Sequence, residues 1–209
     1  MHIDTDKVRA IVFDIAAAVG EQKQYLSDLD QAIGDGDHGF NMDRGFGVVV
    51  QKLKDAPGAD IGEVLKTVAM TLISNVGGAS GPLYGSLFLK ASAAAKGLTE
   101  INLQGFLPLF AAGVAGVQAI GKAQLGDKTM LDVLLPVLES LEKDSASGLA
   151  LKEAFANAEK VAAGSMEKTK DIIAKKGRAS YLGERSIGHI DPGAASSYLM
   201  ISVINKALA

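Results

Sequence analysis

The stretch LQGFLPLFAAGVAGVQAIG, residues 103–121, sets the fold class. Among its large apolar side chains, Leu103, Phe106, Leu107, Phe110, Val114 and Val117 fall at offsets of 3, 4, 7, 11 and 14. That is the stripe of one helix face rather than the alternation of a strand. The same spacing recurs upstream at Val8, Ile11, Val12, Ile15 and Val19, with a polar continuation to Leu29, so a first helix is predicted to stop near Asp30. Between these two, helices are predicted from about Asn41 to Lys54, from Ile61 to Ser74, and from Ser80 to Lys96, with Ser80 as cap and Pro82 in the first turn. Downstream, a sixth helix is predicted to open at Asp127 or Lys128 and run through Leu141 despite Pro136. A seventh runs from Leu151 toward Ala174, and an eighth from Ala194 to Leu208.

Composition agrees with an all-α reading. Apolar residues make up 48% of the 209-residue chain and aromatics only 5%, and Ala, Leu, Val and Ile dominate. No strand is predicted, and a single domain spanning residues 1–209 is expected. A net charge of -3 leaves no basic face for a nucleic acid. The absence of cysteine excludes a disulfide framework and thiolate metal sites. No apolar run is read as approaching a membrane span of about 20 residues, and Asp4, Asp6, Lys7 and Arg9 break any signal-peptide core, so the expected compartment is the cytoplasm.

Eight amphipathic helices on short turns imply an up-and-down antiparallel order, because short connections keep successive helices side by side. Alternate loops then gather at one end. The loops after helices one, three, five and seven, read as 30–40, 76–82, 120–129 and 176–193, are also the four segments of unusual composition.

The first of them reads DQAIGDGDHGFN, residues 30–41. Asp30, Asp35 and Asp37 crowd three carboxylates into one short turn, and Gly34, Gly36 and Gly39 allow the backbone to fold sharply. Like charges this close call for a cation between them, and a hard divalent ion such as magnesium suits an all-oxygen set that leaves room for phosphate and water. The spacing is not that of an EF-hand, which needs a later bidentate glutamate. The helix opening near His38 to Asn41 is expected to turn free N–H groups toward an anion. In the second loop Gly77, Gly78 and Gly81 permit close approach and Ser80 adds a hydroxyl, but no Walker A lysine is present. The third offers Gly121 and Met130, the latter read as core or the wall of an adenine slot. The fourth offers Arg178, Glu184, Arg185, His189 and Asp191, and its two arginines are read either as plain surface charges or, where one faces a phosphate, as a bidentate partner. His38 and His189 sit beside carboxylates and are read as structural or ligand-orienting, so no catalytic residue is assigned.

Together, IGDGDHGFNMDRGF at 33–46, GGASGPLYG at 77–85, GDKTMLDVLLP at 126–136 and GRASYLGERSIGHIDPGA at 177–194 resemble the nucleotide-binding L subunit of dihydroxyacetone kinases, over nearly the whole chain. The resemblance implies an eight-helix antiparallel barrel with ADP or ATP held at one end through two magnesium ions. It implies Asp30, Asp35 and Asp37 as metal ligands. Nucleotide contacts implied are His38, Gly39, Phe40, Asn41, Ala79 and Ser80, with Gly121 and Met130 near the base, and Arg178, Asp191, Pro192 and Gly193 closing the site. The chain begins directly at the first helix, and His38 is similar to the standalone kind driven by the phosphotransferase system. In that kind the bound ADP is rephosphorylated in place by a phosphohistidine donor, the M subunit, and dihydroxyacetone sits on a separate K subunit. An L-type domain serving another ketose or an acyl carrier, and a nucleotide-sensing regulator, are the rival readings.

Overall fold

The structure, a computed structural model, describes residues 2–209. Eight α-helices carry it: α1 (Thr5–Ile33), α2 (His38–Asp55), α3 (Ile61–Asn75), α4 (Ser80–Ala94), α5 (Leu103–Gly121), α6 (Leu131–Ala146), α7 (Leu151–Lys168) and α8 (Pro192–Leu208). Each packs on its neighbours in the chain, and α8 returns to pack on α1, so the neighbour relations close on themselves. The predicted stripes are the buried ones: Val8, Ile11, Val12, Ile15 and Val19 of α1, and Val114 and Val117 of α5, join one apolar cluster with residues of every other helix. Removing such side chains from water supplies about 1.5–3 kcal/mol apiece.

At the end away from the four unusual loops, side-chain caps set the starts of the helices. Asp4 accepts from Lys7 N at 2.7 Å, Asp60 from Glu63 N at 2.8 Å, and Asn102 from Gly105 N at 3.0 Å. The second oxygen of Asp60 accepts from Gly97 N at 2.9 Å, which ties the α4–α5 turn to the start of α3. The same end holds an element the sequence pattern did not reveal. Residues Ile3–Asp4 (β1) and Glu100–Ile101 (β2) pair antiparallel, too short a ladder to leave a periodic signal.

Several boundaries differ from the pattern for identifiable reasons. Helix α1 continues past Asp30 to Ile33, so Asp30 stands in its last turn rather than in a loop. Ser80 is the first residue of α4, with Ala79 at the cap and no side-chain cap bond, because the Ser80 hydroxyl is engaged by His38. Helix α6 begins at Leu131 rather than at Asp127 or Lys128. Lys128 takes a left-handed φ of 61°, and the Asp132 carboxylate gathers Gly126 N at 2.6 Å and Thr129 N at 2.7 Å into a tight turn before the helix. Pro136 stays inside α6. Helix α7 stops at Lys168 and gives way to a 3-10 turn at Thr169–Asp171, and the loop predicted at 176–193 holds a 3-10 segment at Arg178–Ser186, interrupted by Gly183.

The reading that no apolar run nears a membrane span needs correcting at α5. Its 19 residues are long and apolar enough to cross a membrane by length and composition alone. In the fold it lies between α4 and α6, with Leu109, Phe110, Val114 and Val117 buried. A helix with two packing partners requires an apolar surface for that reason alone.

Candidate functional site

The four unusual loops meet at one end of the bundle around a cleft of about 340 Å³, a size suited to a small-molecule ligand. Asp30, Asp35, Asp37, His38, Ala79, Ser80, Gly121, Met130, Arg178, Asp191, Pro192 and Gly193 all line it. Gly39, Phe40 and Asn41 do not. Phe40 is 46% exposed, Gly39 is pressed against α1, and the Asn41 carboxamide oxygen accepts from Arg44 at 2.7 Å. His189, Glu184 and Arg185 are exposed and lie outside the cleft lining.

The carboxylates come together because α1 presents Asp30 to the start of α2. Asp30 Oδ2 accepts from Asp37 N at 3.0 Å and from His38 N at 3.2 Å. One turn earlier on α1, Ser27 Oγ accepts from Gly39 N at 3.1 Å and Phe40 N at 3.3 Å. The first four amides of this turn are therefore all taken by α1, which corrects the expectation that the N-terminus of α2 offers free donors to an anion. Gly34 is needed for the approach, since a Cβ there would sit 2.2 Å from Asp30 Oδ1, and Gly36 turns the chain with φ +77°.

One oxygen from each of Asp30, Asp35 and Asp37 lies within 4.8 Å of the others. Two oxygens on opposite sides of one magnesium ion are about 4.2 Å apart, so this set fits a hard cation after small side-chain adjustments. Burial pushes the Asp30 carboxyl above the usual carboxylate range, the two backbone donors pull it back, and the charges of Asp35 and Asp37 push it up again. A cation would relieve both upward pressures. The counter-charge in place is Arg178, whose guanidinium lies 2.9 Å from Asp35 Oδ2.

Beneath the carboxylates runs a buried polar chain. The His38 ring bonds Ser80 Oγ through Nδ1 and Ser196 Oγ through Nε2, both at 2.9 Å. Ser196 in turn meets the Tyr84 hydroxyl at 2.6 Å. Burial lowers the His38 pKa to about 4 and raises that of Tyr84 to about 12, so both are neutral near pH 7. A neutral imidazole has one donor and one acceptor nitrogen, which suits it to orient the Ser80 hydroxyl at the mouth of α4. The α4 N-terminus carries no side-chain cap, and Ala79 and Ser80 at its start line the cleft. Asp191, which also lines the cleft, caps α8 by accepting from Ala194 N at 2.7 Å, and burial pushes its pKa up to about 7. Met130 is buried against Gly193, where an added Cβ would meet the Met130 Cβ at 3.4 Å.

Ser27, Tyr84 and Ser196 are not singled out by the sequence, and Lys128 is read there only as a helix start. For Ser27 a signal existed, because it precedes Asp30 by three residues and so shares its helix face. For the others, residue type and spacing carried none.

The sequence matches the model of the DAK2 domain over residues 32–206. It is 48% identical over 186 residues to the ADP-binding subunit DhaL of the PEP-dependent dihydroxyacetone kinase of Escherichia coli K12, covering 89% of each chain. With the corresponding subunit of dihydroxyacetone kinase 1 of Listeria innocua it shares 46% identity, covering 96% of this chain and 95% of that one. The solved structure of the dihydroxyacetone kinase of C. freundii superposes with a TM-score of 0.74 at 23% identity, over 95% of this chain. This chain spans 34% of that longer protein, and the likeness speaks to the fold. With a family match across most of its length and relatives of this similarity covered nearly end to end, the chain belongs to the DAK2-domain family.

Proposed function

We propose that this chain is the nucleotide-binding subunit of a phosphotransferase-system-dependent dihydroxyacetone kinase, holding ADP or ATP with magnesium in the cleft described above. The observation that carries the reading is the meeting of Asp30, Asp35, Asp37, Ser80 and Arg178 on one cleft, in a chain whose similar relatives are named as ADP-binding subunits. Asp30, Asp35 and Asp37 would hold two magnesium ions, whose contribution when bound is to neutralise and orient phosphate oxygens against the carboxylates. Ser80, oriented by His38, and the uncapped start of α4 supply donors to the phosphates. Arg178, already beside Asp35, brings a planar fork of donors to the same oxygens. Gly121 and Met130 wall the base end, and Asp191, Pro192 and Gly193 close the far side. Gly39, Phe40 and Asn41 serve the site by placement, since the amides of the first two anchor the turn to Ser27.

On this reading the chain acts in the cytoplasm as a coenzyme carrier. A phosphohistidine on a donor M subunit rephosphorylates ADP without its release, and a K subunit presents dihydroxyacetone to receive the phosphoryl group. The chain's own residues provide position and charge, and none of them needs to act as a base.

Native mass spectrometry and calorimetry test the reading directly. The wild-type chain should retain ADP with two magnesium ions, and Asp30→Ala, Asp35→Ala and Asp37→Ala should each lose that retention. Unchanged affinity in all three variants would end the reading. Phosphoryl flux to dihydroxyacetone should appear only when donor and K subunits are added. A chain that binds ADP yet never passes a phosphoryl group would be a sensor instead.

A further inference from the structure

Lys128 is the buried charge that the reading above leaves without a role. It is 1% exposed and adopts a left-handed φ of 61°, a conformation uncommon for residues other than glycine. No carboxylate lies at ion-pair distance from its ammonium. Instead Nζ is within hydrogen-bond reach of four main-chain carbonyls: Thr169 O at 2.6 Å, His189 O at 2.6 Å, Ser186 O at 2.8 Å and Ile172 O at 3.2 Å. Three ammonium protons meet four acceptors, so the cage is filled with one to spare.

These carbonyls belong to both ends of one segment. Thr169 and Ile172 lie where the chain leaves α7, and Ser186 and His189 lie where it returns toward α8. Gly188 N donates to Lys170 O at 2.8 Å across the same neck, which closes the loop at its base. At the far tip stands Arg178, reaching the carboxylate turn through Asp35. Without the ammonium, four carbonyl dipoles would point at one another in a largely buried space, and the neck would open to rehydrate them.

We propose that Lys128 is a positioning residue for Arg178: its ammonium, caged by carbonyls from both ends of residues 169–189, holds that segment shut so that Arg178 is delivered to the cleft. The proposal rests on the nucleotide reading for its binding consequence, but not for its structural one. A lysine suits the task because an ammonium donates to carbonyls lying in several directions around one point. The planar guanidinium of arginine cannot.

Two measurements on Lys128→Met, with Lys128→Gln as the substitute should the first fail to reach wild-type helicity, decide it. Hydrogen exchange should quicken roughly tenfold or more over residues 172–188, while peptides from α1 to α5 exchange as in the wild type. Affinity for ADP with magnesium should fall roughly tenfold in Lys128→Met, and the double variant with Arg178→Ala should match Arg178→Ala alone within about twofold. A lysine that merely stabilised the fold would lower affinity by the same factor in both backgrounds. Unchanged exchange at 172–188, losses that multiply in the double variant, or an Arg178→Ala variant of wild-type affinity would each overturn the proposal. A wild-type chain that fails to retain ADP would remove the nucleotide reading instead, and the exchange comparison would still decide whether Lys128 holds the segment.

Discussion

Replacing Gly39 by alanine tests the closeness on which the carboxylate turn depends. A Cβ at residue 39 would lie 2.0 Å from Lys23 O, 2.8 Å from Lys23 C and 2.9 Å from Lys23 Cα, all rigid backbone of α1. Relief to an ordinary contact near 3.4 Å requires α2 to withdraw by roughly 1.4 Å, a change of the kind that costs about 1–3 kcal/mol in packed interiors. The withdrawal also stretches the bonds from Asp37 N and His38 N to Asp30, now 3.0 and 3.2 Å, and charged hydrogen bonds of this sort are worth about 1.5–3 kcal/mol. Against this stands the usual helix gain of about 1 kcal/mol for replacing glycine by alanine. The net loss is about 1.5–5 kcal/mol, which at this chain length lowers the melting temperature by roughly 3–20 °C. Gly47→Ala is the matched control, since it lies on the same helix with nothing within 4 Å of its Cβ. That variant should melt at or slightly above the wild type. Calorimetric melts of the two variants check the reasoning, and a Gly39→Ala protein that melts with Gly47→Ala would refute it.

Ser27→Ala strips the acceptor from Gly39 N and Phe40 N, and should cost about 1–3 kcal/mol and weaken ADP binding although Ser27 lies outside the cleft lining. A melt and a binding isotherm both equal to wild type would contradict the role given to the α1 face. Asp191 supplies a pH dependence whose sign follows from its raised pKa. Between its ordinary value of 3.8 and about 7 the folded chain holds a proton that the unfolded chain releases, so the contribution is fully present below 3.8 and is lost as pH rises through 7. The groups acting on Asp191 are the Ala194 amide, Asp132, Lys128 and Asp30. Asp191→Asn, a cap that stays neutral, should remove that slope from the stability profile between pH 4 and 7. An unaltered profile would show that the carboxyl is ionised throughout.

The helical content and the location of the site could be read from the chain because both depend on local chemistry. Apolar spacing at Val8 to Val19 and at Leu103 to Val117 selects a helix face wherever the chain goes. Glycines between Asp30, Asp35 and Asp37 announce a turn that crowds charge. Short connections then place alternate loops at one end, and the cleft lies among those loops. The two-residue strands were invisible because so short a pairing has no period. Ser80 opens its helix as predicted but does not cap it, and the sixth helix starts at Leu131 rather than Lys128, because tertiary partners hold both side chains.

What the sequence determined by itself is thus a set of amphipathic helices and an acidic, glycine-rich turn able to attract a divalent ion. Only the tertiary structure decided which donors stay free. The amides at the start of α2 are consumed by Ser27 and Asp30 from α1, whereas those at the start of α4 remain without a side-chain cap. Likewise the Lys128 side chain turned inward to carbonyls 41 to 61 residues away. A buried polar group must find its partner wherever packing brings one, and sequence separation places no limit on where that is.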